Sequence, residues 1–297
     1  MESPPRSDAF DPTDAPGARH TPAAVRALAS LMRGRRTLVL SGAGISTESG
    51  IPDYRGPSSR ARPPRPITYQ QFIGSPEARA RYWARSAVGW PRISAAAPNK
   101  GHGAIARLEG AGIVQGVITQ NVDGLHQAAG SRAVVELHGS LAEAVCLTCG
   151  TREARASLQD RIMAMNAAWA VDAARLAASA PDGDAAVDAA LVASFRLPVC
   201  LRCAGILKPD VVLFGENVPK GRVDEAFDLL AKAQVLLVVG SSLAIYSGLR
   251  FVTRAVEVGK PVAIVNRGPT RADQLATVRV EASLGDALSV LVSRLTT

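Results

Sequence analysis

The sequence predicts an α/β protein: a parallel sheet with helices on both faces, joined to a small metal-clipped lobe. Three observations predict it. Short apolar segments of strand length alternate with helical patterns along most of the chain. One of those segments runs directly into a glycine-rich turn, Ser41-Gly-Ala-Gly-Ile-Ser-Thr-Glu48. All four cysteines fall in two matched pairs, Cys146-x-x-Cys149 and Cys200-x-x-Cys203.

The elements follow in order. Residues 1–20 are rich in Pro, Asp and Ala and hold no apolar stretch, so they read as a disordered tail and as neither a signal nor a transit peptide. Pro22 to Arg33 has helical spacing at Val25, Leu28, Leu31 and Met32. Thr37 to Leu40 is a strand, and Gly112–Thr119, Val134–Leu137, Val235–Val239, Val262–Val265 and Thr277–Val280 read the same way. Helical patterns at Val223–Lys232 and Gly248–Val258 separate some of them. Two stretches break the alternation. Arg55 to Lys100 is Pro- and Arg-rich and then helical around Pro76–Val88. The 50 residues between the cysteine pairs are Ala-rich and helix-prone to about Ala180, then loop-like at Pro181-Asp-Gly-Asp184. The chain therefore divides into a sheet domain (21–55, 101–140 and 206–297), a helical insertion (56–100) and a metal-binding lobe (141–205).

Four sulfurs with none left over fit a closed structural Zn²⁺ site that offers no position to water or substrate. Two disulfides or a redox pair are the alternatives; a redox motif needs only one pair, and no export signal leads the chain to an oxidising compartment. A lobe this small cannot assemble a large core alone, which gives a metal clip its physical purpose.

Composition excludes several classes. With 47% hydrophobic residues the chain buries a substantial core, yet no apolar run approaches the ~20 residues of a membrane span. The net charge of +8 suggests polyanions, but the basic residues are scattered except at Arg33–Arg36 and Arg55–Arg65. No aromatic-interleaved basic ladder accompanies them, so no specific nucleic-acid partner is expected. A cytoplasmic, monomeric protein is the expectation.

The chemistry is expected at strand ends, which face the crevice of an open parallel sheet. Gly42 and Gly44 suit a tight turn and close approach to a pyrophosphate at a helix N-terminus, although Thr47 stands where a third glycine belongs. Ser49-Gly-Ile-Pro-Asp-Tyr-Arg55 follows as a covering loop. Thr119-Gln-Asn-Val-Asp-Gly-Leu-His126, Glu136-Leu-His-Gly-Ser140, Gly240-Ser-Ser-Leu243 and Asn266-Arg-Gly268 supply further polar strand ends. Of the four histidines, His20 lies in the tail, His102 reads as structural, and His126 reads as structural or as closing a crevice loop. His138 sits among the polar strand ends, before a glycine that admits a ligand. No Ser–His–Asp or carboxylate pair competes with it.

These motifs, in this order, resemble those of the sirtuins: GAGIS with TESGIPDYRG, TQNVDGLH, LHGS, the two CxxC pairs, KPDVVLFGE and GSSL, together spanning about Ser41 to Asp286. The resemblance implies a Rossmann-like domain with a zinc-ribbon/helical lobe, and an NAD⁺-dependent protein-lysine deacylase that releases nicotinamide and 2′-O-acyl-ADP-ribose. It implies His138 as general base, and Asn121 and Asp123 in the nicotinamide pocket with Ala43, Ile51 and Asp53. Gln120 would hold the ribose; Ser241, Ser242 and Asn266 the adenosine half; the backbone from Leu284 to Asp286 would border the adenine. The same motifs place Gly42, Gly44, Ile45, Tyr54, Arg55, Val122, Gly240, Arg267 and Gly268 along the cofactor. Phe214, Gly215, Glu216 and Asn217 would receive the acyl-lysine peptide, by main-chain pairing from Gly215 to Val218. Partners would be acyl-lysine proteins.

The Tyr of PDYR, TQNVD, RYWAR and APDGD is similar to the class II branch, whose acyl groups include branched dicarboxylic and lipoyl types. Tyr82-x-x-Arg85 matches a pattern that holds an acidic acyl group; the same pair is also simply i, i+3 on an Arg-rich helix. Cys203-Ala-Gly205 departs from the usual Gly-Gly after the last cysteine. Mono-ADP-ribosyl transfer to protein and a non-enzymatic NAD-binding scaffold remain as alternatives.

Overall fold

A computed structural model describes residues 22–53, 66–171 and 189–296. The expected tail, Tyr54, Arg55 and the Pro181–Asp184 loop lie outside the described residues.

Six strands form one parallel sheet. In chain order, strands β1 (Thr37–Ser41), β2 (Val114–Thr119) and β3 (Val134–Glu136) make one half; β7 (Val235–Val239), β8 (Val262–Val265) and β9 (Val278–Val280) make the other. The spatial order is β3-β2-β1-β7-β8-β9. Every neighbouring pair is parallel, and the order reverses direction between β1 and β7. In a doubly wound sheet that reversal opens a crevice at the strands' carboxyl ends. β1 and β7 are buried at all five positions because both sheet faces are covered.

Alternate side chains serve two cores. Val39, Val117, Leu237, Val265 and Val280 pack on one face with helices Pro22–Met32, Lys100–Gly110 and Leu284–Leu295. Leu38, Leu40, Ile118, Leu236 and Ile264 pack on the other with Lys220–Lys232 and Tyr246–Glu257. This two-faced burial is the expected architecture.

A second, antiparallel sheet has the order β5-β4-β6, with β4 (Gly139–Cys146), β5 (Arg152–Ala154) and β6 (Leu207–Val211). Leu207–Val211, grouped with the large sheet on sequence, thus pairs in the small one. Pro209 is accommodated because β6 is an edge strand. The helical stretch and the cysteine lobe are not separate bodies either. Phe72, Trp83 and Ala84, from helices Tyr69–Gly74 and Pro76–Ser94, share a third core with Cys146, Leu158, Ile162, Cys200 and Leu207. The Trp83 indole N–H donates to the Leu207 carbonyl at 3.2 Å. Arg155, 1% exposed, lies over the rings of Trp83 and Trp90 and donates to the Ser86 carbonyl. Sequence reading separated the two because their apolar faces only become one core when β4 and β6 bring them together.

Candidate active site and cysteine centre

The glycine-rich turn after β1 is the first correction. It continues as a 3-10 helix, Ala43–Ser49, and not as an α-helix with a long dipole. Its glycines answer to the protein itself. A Cβ on Gly42 would stand 2.8 Å from Ser241 Cβ, and one on Gly44 would stand 2.8 Å from the Gly240 carbonyl. The Gly44 N–H already donates to that carbonyl, also at 2.8 Å. The turns after β1 and β7 therefore interlock at the switch point, with the partly exposed Ala43 between the two glycines. Ile45, expected along the cofactor, turns its side chain fully into the core, and its carbonyl accepts from the Asn99 amide at 2.7 Å.

Two hydrogen-bond networks line the crevice. In the first, the Asn121 amide donates to Ser46 Oγ at 3.0 Å, and the Ser46 hydroxyl donates to Asp123 Oδ2 at 2.7 Å. Asp123 Oδ1 accepts from the Leu125 N–H at 3.0 Å. Ser46 joins two residues some 75 positions away, so nothing in its local sequence marks it. In the second network, the Gln120 side chain donates to Ser241 Oγ at 2.8 Å, and the Gln120 carbonyl meets His138 Nδ1 at 2.9 Å. A carbonyl only accepts, so Nδ1 carries the proton and Nε2 is the bare nitrogen. Nε2 in turn lies 2.8 Å from Ser247 Oγ. Burial pushes the His138 pKa below the ordinary histidine value, and the Arg250 charge adds to the push against the Gln120 bond. Glycine after His138 also has an internal reason: a Cβ on Gly139 would collide with the Asp210 carbonyl, so its bareness serves the β4–β6 pairing.

Other expected residues are also engaged within the fold. Asn266 is buried, and its amide donates to the carbonyls of Arg267 and Gly268, which shapes that turn. The Ser242 carbonyl accepts from the Arg271 N–H. Leu284 packs into the core beside Gly240. Val122 packs on the third core, and its carbonyl accepts from the Leu141 N–H. Glu216 turns inward: its carboxylate takes the Leu213 N–H at 2.8 Å and Lys208 Nζ at 3.2 Å. The Phe214 and Gly215 carbonyls are taken by the Tyr69 N–H and the Gln70 amide. Residues 213–216 form a turn closed by Glu216 N–H on the Leu213 carbonyl, with Gly215 at φ 77°. Phe214, Gly215 and Asn217 are exposed in this segment. Tyr82 sets its ring edge-to-face against Phe72 and Trp83.

His126 and His102 are structural. The buried Ser41 hydroxyl donates to Thr119 Oγ1 at 2.9 Å, which leaves His126 Nε2 to donate to Ser41 at 2.8 Å. His102 Nδ1 accepts from the Asn99 N–H that opens helix Lys100–Gly110. The two rings meet edge-to-face at 5.0 Å, and His126 Nδ1 and His102 Nε2 have no partner. Burial, then the neighbouring ring, pushes the His126 pKa down to about 3. The unfolded chain, with histidine near 6.5, therefore binds more protons than the folded one between pH 3 and 6.5, and stability falls as pH is lowered through that window. From pH 7 to 5 this one group is expected to cost about 2 kcal/mol. Denaturant midpoints at the two pH values check it, with His126→Asn flattening the dependence.

The four cysteines converge. Cys146 and Cys203 sulfurs are 3.5 Å apart, Cys149 and Cys200 sulfurs 3.7 Å, and all four lie within 4.8 Å of one another. A tetrahedron of sulfurs about 2.3 Å from zinc has edges of about 3.8 Å, so the set fits one closed zinc site. No disulfide links them. Ala204, where sequence reading flagged a departure, adopts φ 56°, and its N–H still closes the knuckle on the Cys200 carbonyl at 2.8 Å.

Comparison with known proteins bears on these features. The Sir2 family model matches residues 42–247. An NAD-dependent protein deacetylase 1 of Streptomyces coelicolor is 54% identical over 268 residues, which is 90% of this chain and 89% of that protein. The chain belongs to the Sir2 family. A Mycobacterium avium relative of the same description is 53% identical over 90% of this chain and 94% of its own length. Among solved structures, a Sir2 enzyme superposes with a TM-score of 0.73 at 32% identity, covering 93% of this chain and 99% of its own. A Sir2 complex with a p53 peptide and NAD⁺ superposes with a TM-score of 0.71 at 30% identity, covering 91% and 97%. No helix among the described residues is long and apolar enough to cross a membrane.

Proposed function

We propose that this chain is an NAD⁺-dependent protein-lysine deacetylase with His138 as general base. The observation that carries the reading is the His138 ring: Nδ1–H is committed to the Gln120 carbonyl, so Nε2 is a bare base at a crevice-facing strand end. NAD⁺, when bound, supplies a cleavable bond to nicotinamide and a ribose that accepts the acyl group. The donor set fits it: Asn121 and Asp123 together offer an amide and a carboxylate, matched to a carboxamide, and Ser46 holds both in place. The Gln120 and Ser241 pair lies between that pocket and the turn at Asn266, where the ribose and adenosine half would run. His138, kept neutral by burial, takes the proton of a ribose hydroxyl at neutral pH. Nicotinamide release from NAD⁺ should depend on an acetylated peptide. Release at the same rate without peptide, or labelling of protein by ³²P-NAD⁺, would favour ADP-ribosyl transfer instead. No turnover at all would leave a scaffold.

The acyl preference is the finer part of the reading. Tyr82 and Arg85 are half-buried on helix Pro76–Ser94, one turn apart, beside the third core. A guanidinium can hold a carboxylate-bearing acyl group through two parallel hydrogen bonds, with the phenol beside it. Arg85→Ala is expected to slow succinyl- and methylglutaryl-peptides by roughly tenfold, in line with loss of one charge-assisted contact, and to spare acetyl-peptide. Equal rates on acidic peptides before and after the substitution would end the acidic-acyl reading, with lipoyl-peptide run in parallel.

A further inference from the structure

Among the described residues, the Ser247 hydroxyl is the one group in hydrogen-bond contact with the nitrogen that is to act as base, 2.8 Å from His138 Nε2 and 109 residues away in sequence. It belongs to the first turn of helix Tyr246–Glu257. A serine there ordinarily serves its own helix, but this helix makes no side-chain cap at Ile245. The Ser247 backbone is also held, since Arg250 Nε donates to its carbonyl at 3.1 Å.

We propose that Ser247 is the positioning residue for His138: its hydroxyl donates to Nε2 and, with the Gln120 carbonyl on Nδ1, locks the ring in the tautomer whose bare nitrogen faces the reaction. The proposal rests on the reading of His138 as general base. Two opposite ring contacts fix the imidazole plane, and only one tautomer satisfies both, because the carbonyl must accept. A hydroxyl suits the other side because it serves both charge states. It donates to neutral Nε2 at rest; rotation about Cβ–Oγ frees that lone pair for the ribose proton, and Oγ then accepts from the resulting Nε2–H. The buried imidazolium is thus never left without a partner. The charged group that bears on the ring is Arg250, from the same helix, whose positive charge opposes imidazolium.

Ser247→Ala should lower kcat on the order of tenfold, the scale seen when an orienting partner of a working histidine is removed, with KM for NAD⁺ unchanged. The acid limb of its pH profile should move to lower pH, because the buried imidazolium loses its charge-assisted partner, a stronger bond than the one the neutral ring loses, and Ser247→Thr should restore both. A Ser247→Ala enzyme with the wild-type kcat and acid limb, alongside an inactive His138→Ala, overturns the proposal alone. An active His138→Ala removes the general-base reading and the proposal with it. If Ser247→Ala fails to fold, imidazole ¹⁵N shifts of the wild-type protein decide: a bare Nε2 with protonated Nδ1 supports the assignment, and the reverse tautomer overturns it.

Discussion

His138→Ala is expected to reduce acyl-peptide-dependent nicotinamide release by roughly 10²- to 10⁴-fold, the contribution of a positioned proton-transfer group. The loss should fall on kcat, because the geometry that holds the pocket residues does not pass through the imidazole: Asn121, Ser46 and Asp123 are bonded to one another, and Gln120 reaches Ser241 through its side chain. NAD⁺ binding, measured by calorimetry, should survive. The wild-type enzyme carries the matching pH signature. A base must be neutral to act, and burial holds His138 below its ordinary value, so the rate should stay flat through neutrality and fall only in acid, below pH about 6.5. An acid limb above that value, or a His138→Ala enzyme with the wild-type rate, defeats the assignment.

The parts of this molecule that could be read from sequence are those whose physics is local. Val235–Val239 is legible as a buried strand because every residue is apolar on both faces of a covered sheet. Val262–Val265 is legible for the same reason. CxxC pairs are legible because a turn of fixed length points two sulfurs at one ion. Helices Lys100–Gly110 and Leu284–Leu295 escaped notice: glycines dilute the first, and the second begins where a ligand edge was expected. β6 escaped notice because Lys208 and Pro209 disguise a strand, and only its edge position tolerates them. At the site, His138, Asn121 and Asp123 stand at strand ends and are found by motif. Ser46 and Ser247 act only through partners 75 and 109 residues away, and the Glu216 carboxylate reaches back to Lys208. Long-range hydrogen bonds leave no local trace.

Stripping the zinc is expected to abolish turnover while leaving the large sheet folded. The four thiols stand at one end of a core that mixes Cys146 and Cys200 with Phe72, Trp83, Leu158 and Leu207. The other two cores contain none of the described residues of the cysteine lobe. Structural zinc contributes an apparent ~10–16 kcal/mol in small zinc domains, as much as the whole stability of an ordinary domain. The third core should therefore melt once the metal is removed. The consequence reaches His138 through the backbone. β4 begins at Gly139, the next residue, and pairs it with Val211, while the Val212 N–H donates to the His138 carbonyl at 2.8 Å. Unfolding β4 and β6 frees the base from one side even though Gln120 still holds the other. Chelation, or Cys149→Ser with Cys200→Ser, should thus give a protein with no measurable deacetylation and lost amide-exchange protection at Val145 and Leu207. Protection at Val39 and Leu237 should remain. Elemental analysis should find one zinc per native chain. A metal-free protein that keeps both its activity and the protection at Val145 would show that the cysteine cluster neither supports the lobe nor holds the base in place.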